Sequence, residues 1–172
     1  MKKKIISIVA FIAIIPFGYS CNAYASATPL NVSATIEAAL TVELLRDMSF
    51  GPIVPSNQPG YVEVGPDNSV STSNVTLTNQ ALANPGSMRV TGTPSAAISI
   101  ILPPSVTLYE SVGGGPGGSM QVSDIIISNN NNTPTIPPAG FLDFAIGGKL
   151  NIVPNQQNGF YQTSFQVTVC YN

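Results

Sequence analysis

"LNVSATIEAALTVEL", residues 30–44, carries an apolar side chain at every even position, from Leu30, Val32, Ala34 and Ile36 through Ala38 and Leu40 to Val42 and Leu44. Side chains on a β-strand alternate between faces with a period of two, so the pattern writes one greasy edge and one polar edge along an extended ribbon. At about 3.3 Å per residue, fifteen residues run roughly 50 Å, against about 17–20 Å for a usual strand. The ribbon is too long for one strand of one domain.

The segment before it reads as a targeting sequence. Lys2, Lys3 and Lys4 open the chain, Ile5 to Phe17 is almost wholly apolar, and Ala23-Tyr24-Ala25 places small residues at the spacing signal peptidase reads. These features predict a secretory signal peptide over 1–25, with cleavage after Ala25. The apolar run is short for a bilayer core of about 30 Å. Cys21 offers a rival reading as a lipidated N-terminus, but Gly18-Tyr19-Ser20 lack the leucine expected three positions upstream.

Removal of 1–25 leaves about 147 residues, enough for one domain with a sizeable core. Arg46, Arg89 and Lys149 then face eight acidic side chains, a net charge of −5. Such a balance does not invite nucleic acid or an anionic membrane. Cys170 becomes the sole cysteine, so no internal disulfide is expected and stability rests on core and sheet.

Beyond the ribbon, short β-rich runs alternate with turn residues. Strands are predicted near 48–54, 60–64, 73–79, 87–93, 96–103, 105–111, 120–128, 141–146, 149–154 and 161–171, separated by Gly-, Pro- and Asn-rich breaks. Many short strands with no helical period predict an all-β, antiparallel β-sandwich over 38–172, preceded by an N-terminal extension at 26–37.

Catalytic chemistry finds few residues to work with. The chain has no histidine, which excludes a Ser-His-Asp triad, a Cys-His pair and the usual zinc site. Lys149, in "GGKLN", has no serine motif beside it and reads as a solvated edge or loop lysine. Glu110 and Asp124 are a conceivable carboxylate pair for glycoside hydrolysis, but there is no tryptophan and no aromatic-rich cleft to hold a sugar. "GGGPGG" at 113–118 fits GxGxxG by count, yet it joins strand to strand and lacks the following helix that would hold a pyrophosphate. Asp67-Asn68 is a fragment of a calcium loop without its closing glutamate. The expectation is a protein that is not an enzyme and needs no cofactor or metal.

The C-terminus repeats the alternation of the opening stretch. In "GFYQTSFQVTVCYN", residues 159–172, Tyr161, Phe165, Val167, Val169 and Tyr171 share one face, interrupted only by Thr163. Gln162, Ser164, Gln166 and Thr168 share the other face with Cys170, which predicts an exposed or edge thiol. Tyr171 is penultimate and Gly159 is fourteenth from the end.

These terminal features resemble the C-terminal strand of bacterial chaperone-usher pilins. The resemblance implies an immunoglobulin-like sandwich lacking its last strand, completed by an alternating N-terminal extension donated by a neighbour. It maps Leu30, Val32, Ala34 and Ile36 onto the donor strand. Gly159, Phe165, Val167, Val169 and Tyr171 map onto the groove-edge strand that a periplasmic chaperone would recognise. Two departures stand out: the paired cysteines common in such subunits are absent, and no glycine lies at the centre of the donor segment. Over nearly the whole exported chain, the sequence is also similar to a family of secreted bacterial β-domains known only as a domain of unknown function. "RDMSFGPIV" (46–54), "MRVTG" (88–92), "ISIILP" (98–103), "IGGKLNI" (146–152) and "GFYQTSFQVTVCY" (159–171) carry that similarity.

Two expectations follow. In the first, the protein is a fimbrial-like structural or adhesive subunit of the cell surface. It reaches the surface through the periplasm and assembles by strand exchange with other copies or related subunits, with a periplasmic chaperone and an outer-membrane usher as further partners. Leu30–Ile36 then lies in another molecule, and Ala38–Leu44 forms the domain's own first strand. In the second, the ribbon breaks at Glu37–Leu40, where strand formers are weak, and both halves pair within one closed, secreted sandwich that binds a carbohydrate or protein as a monomer.

Overall fold

A computed structural model describes residues 31, 33–111, 118–128 and 131–172. The expected signal peptide at 1–25 with Cys21, the donor positions Leu30 and Val32, and most of the 113–118 glycine run lie outside these residues. One compact unit runs Ile36–Asn172; of the other, Met1–Thr35, the few described residues form no strand.

Alternating apolar residues between turn formers give the unit its strands. In chain order they are β1 (Thr41–Arg46), β2 (Ser49–Phe50), β3 (Ile53–Pro55), β4 (Gly60–Val64), β5 (Val70–Ser73), β6 (Val75–Leu77) and β7 (Ala83–Asn84). They continue as β8 (Gly86–Thr91), β9 (Ile98–Ile101), β10 (Val106–Glu110), β11 (Ser119–Ile127), β12 (Phe141–Ile152), β13 (Tyr161–Gln162) and β14 (Thr168–Tyr171). A 3-10 turn, Gln80–Leu82, is capped by the Asn79 side chain accepting from the Ala81 N–H. The fold is therefore the expected all-β, antiparallel sandwich, its sheets curling into a half-barrel.

β12 organises it. Along its whole length the even-numbered residues Leu142, Phe144, Ile146, Gly148, Leu150 and Ile152 point inward. One edge of β12 pairs with β11; the other pairs first with β8, up to Ile146↔Gly86, and then with β4, from Gly148↔Val64. Gly147 sits where the partner changes. A Cβ there would lie 2.5 Å from the Val64 carbonyl and 2.7 Å from Pro66, so only a glycine admits the turn that leaves β4. Beyond these pairs, β1 joins β8, β5 joins β4, and β10 joins β11 and β13. Three two-stranded ladders, β14–β9, β2–β7 and β3–β6, supply the opposing layer.

Several predicted boundaries are corrected. The strands expected at 141–146 and 149–154 are one continuous strand, because Gly147 and Gly148 are extended residues under close cover rather than a turn. The strand expected over 161–171 is interrupted: β13 pairs with β10, β14 pairs with β9, and 163–167 joins no ladder. The strand expected over 73–79 is two: Val70–Ser73 lies on the outside of β4, and Val75–Leu77 pairs with β3. Lys149 is neither at an edge nor in a loop; it lies on β12 between Glu63 and Ser123, its ammonium 4.2 Å from the centre of the Tyr61 ring.

A bulge re-phases β11. Its register shifts between Ser123 and Ile126, with Asp124 at φ 53°, so Val122 faces inward before the bulge and Ile125 and Ile127 after it. Two apolar clusters result. Val90, Ile98, Ile100, Ile127, Ile136, Phe144 and Ile146 form one around the first half of β12, and Phe50, Val62, Val64, Ala83, Val122, Leu150 and Ile152 form the other around its second half.

Candidate functional site

The second cluster is open on one side. Leu150 and Ile152 of β12, Val122 of β11, and Val106 and Leu108 of β10 form the floor of a cleft of about 1290 Å³. One wall descends from Leu44 through Met48, Phe50 and Ile53; the other is the chain from Gln156 to Phe165, with Val167 at its end. Large apolar side chains stand exposed along its mouth, with Leu44 at 57% and Phe160 at 63%. Among the described residues, Arg46 and Asp47 are the only charged ones that line it.

Both walls carry backbone that can accept a strand. Among the described residues β1 pairs with β8 alone and 163–167 pairs with nothing. Phe165, Val167, Val169 and Tyr171 nevertheless turn inward and Ser164, Gln166, Thr168 and Cys170 outward, as in an extended strand. An edge of this kind, beside an open apolar cleft, is a template for strand addition.

The five groove-edge residues named from sequence fall into two groups. Gly159, Phe165 and Val167 line the cleft. Gly159 packs so closely on Glu110 that a Cβ would lie 2.5 Å from its carboxylate. Val169 and Tyr171 lie past the cleft in β14, against the closed cluster. Of the donor positions, Ala34 and Ile36 are described and exposed, Ile36 at 94%. Cys170 is a free, exposed thiol. The opposite wall and the β10 floor escaped the sequence reading, because a strand's own residues do not say whether a neighbour covers it.

Charge lies elsewhere. Arg89 of β8 donates to both Asp143 oxygens, at 2.6 and 2.7 Å, from the directly opposed position on β12, and its guanidinium carbon is 4.5 Å from the Phe141 ring centre. The hydrogen bonds from Arg89 hold the Asp143 carboxyl below its ordinary value. Asp67 is likewise lowered, chiefly by the Ser69 hydroxyl and then by the Ser69 N–H, in the turn between β4 and β5. Both carboxylates are structural turn or ladder groups outside the cleft, and neither Glu110 nor Asp124 lines it.

Fold and cleft together define an antiparallel β-sandwich with an open apolar cleft between its first three strands and the chain at 156–167. Residues 40–171 match the profile of a domain of unknown function, DUF4402, and the chain belongs to that family. No curated protein and no solved structure matches it.

Proposed function

We propose that the protein is a fimbrial-like structural or adhesive subunit of the bacterial cell surface that assembles by strand exchange, without enzymatic activity. The observation that carries this reading is the open apolar cleft, flanked by unpaired backbone on both walls. Its uncharged floor suits a strand with one apolar edge, which is what Leu30, Val32, Ala34 and Ile36 provide. Each larger side chain, if fully buried, contributes about 1.5–3 kcal/mol before the ordering of the segment is subtracted. Under this reading residues 1–25 export the chain, a periplasmic chaperone and an outer-membrane usher handle it in transit, and the cell surface or a fimbrium is its destination.

Deleting residues 26–36 tests the proposal. The variant, expressed with its leader, is expected to fold and remain monomeric by light scattering, whereas the intact chain forms polymers. Polymers from the variant, or a monomeric intact chain, would refute it.

A further inference from the structure

Resting on the strand-exchange reading, we infer that Tyr171 and Thr93 clamp the root of the N-terminal extension at the end of the domain away from its own cleft, so that the extension seats in a second copy. Both peptide groups of Ala38 are held. Its N–H donates to the Thr93 hydroxyl at 2.8 Å, and its carbonyl accepts from the Tyr171 hydroxyl at 2.7 Å. The Tyr171 oxygen in turn accepts the Thr93 N–H at 2.7 Å, and the two hydroxyls lie 3.2 Å apart. Gly92 makes the room: a Cβ there would lie 2.6 Å from the Tyr171 oxygen and 2.7 Å from the Leu40 side chain.

The position of this knot decides where the extension can go. Ladder registers put the start of β1 beside Thr91, level with Phe141 on the far side of β8, and its end beside Ser87, next to the pairing of Gly86 with Ile146. The cleft touches only the latter end, through Leu44 and Arg46 of β1 and Ile146 of β12. From Ala38 to Leu44 the chain covers roughly 20 Å in extended form. For Leu30–Ile36 to enter its own cleft, the chain must reverse close to Ala38 and run back along β1. A reversal there requires backbone rotation at the residue whose donor and acceptor are both occupied. Tyr171 and Thr93 are thus positioning residues that favour exchange between copies over self-closure.

The test uses the full chain expressed with its leader, carrying Tyr171→Phe, Thr93→Val or the conservative Thr93→Ser. Amide exchange is expected to quicken about tenfold at Ala38 in Thr93→Val and at Thr93 in Tyr171→Phe, whose lost hydroxyl accepts the Thr93 N–H, the loss expected of one protecting hydrogen bond. Their share of monomer that persists on concentration, by light scattering, rises severalfold, while Thr93→Ser stays with the parent. Faster exchange at the deprotected amide, Ala38 in Thr93→Val or Thr93 in Tyr171→Phe, with an unchanged monomer share overturns the inference, as does unchanged exchange there. A parent chain that is itself monomeric refutes the strand-exchange reading instead, and is told apart because it then matches the 26–36 deletion. If Tyr171→Phe does not fold, the Thr93 pair gives the same decision.

Discussion

β12 passes through two cores built on the same alternation, and only one is closed. Around Phe144 and Ile146 the β9–β14 ladder supplies the opposing layer; the core members of both clusters are buried, and the difference lies in the cleft beside the second. Around Leu150 and Ile152 the layer stops short: β2 and β3 cover one side, the chain at 163–167 borders the other, and the space between them is the cleft. The same strand in the same phase therefore meets a complete sandwich at one end and an incomplete one at the other. What separates them is how far the covering strands reach, not the character of the residues.

Truncation should expose that difference most strongly. Phe144→Ala, in the closed half, is expected to cost about 3–5 kcal/mol, since it leaves a cavity that close-packed neighbours cannot fill. Leu108→Ala, on the cleft floor, should cost about 1 kcal/mol because the side chain is only half-buried in the lone subunit. Urea unfolding midpoints of the two variants measure the contrast, and equal losses would break it. A synthetic peptide of residues 28–38, added to the 26–36 deletion protein at a hundred times its dissociation constant, should then stabilise it by about 2.7 kcal/mol. With the peptide bound, the cost of Leu108→Ala should climb toward that of a buried leucine while that of Phe144→Ala stays put.

The junction of the two halves gives the next effect. Gly147→Ala drives a methyl against the Val64 carbonyl and Pro66, both backbone-anchored, so an overpacking cost of about 1–3 kcal/mol is expected. The strain falls on the β4 side of the junction. Amide exchange should quicken along β4 and β5 while β8, paired to the other half of β12, keeps its protection; uniform quickening would show that the halves do not open separately.

How much of this was written in the sequence differs by element. The fold class was legible, because alternation survives wherever a strand has one wet face, as in 60–64 and 165–171. The continuity of β12 was legible too: Leu142, Phe144, Ile146, Leu150 and Ile152 keep one phase across the glycine pair. Reading glycines as turns hid that, since composition does not reveal a close backbone approach. The break at 163–167 had a faint sign in Thr163, the one polar residue on the apolar face of the last strand. The cleft itself had no local signature. It is a space between elements rather than a property of any one of them. The Ala38 knot joins residues 78 and 133 positions apart in sequence, which no periodicity reports.

Acid supplies the smallest expected effect and sets the two halves on equal terms. Each carries one exposed carboxylate that folding makes more acidic: Asp143, through Arg89, on the closed half, and Asp67, through Ser69, in the turn above the open one. A carboxyl whose value is lowered in the folded state binds its proton more readily when unfolded. Its contribution is therefore whole above the unfolded value, near about pH 4, and drains away as pH falls through the lower folded value. Because both groups face solvent, salt should weaken the Arg89–Asp143 pair further. Asp143→Asn is expected to lower the urea midpoint slightly at pH 7 and to converge with the parent at acid pH, and Asp67→Asn should do the same. A gap between Asp143→Asn and the parent that persists at low pH would mean that the side chain acts through packing beside Phe141 rather than through its charge.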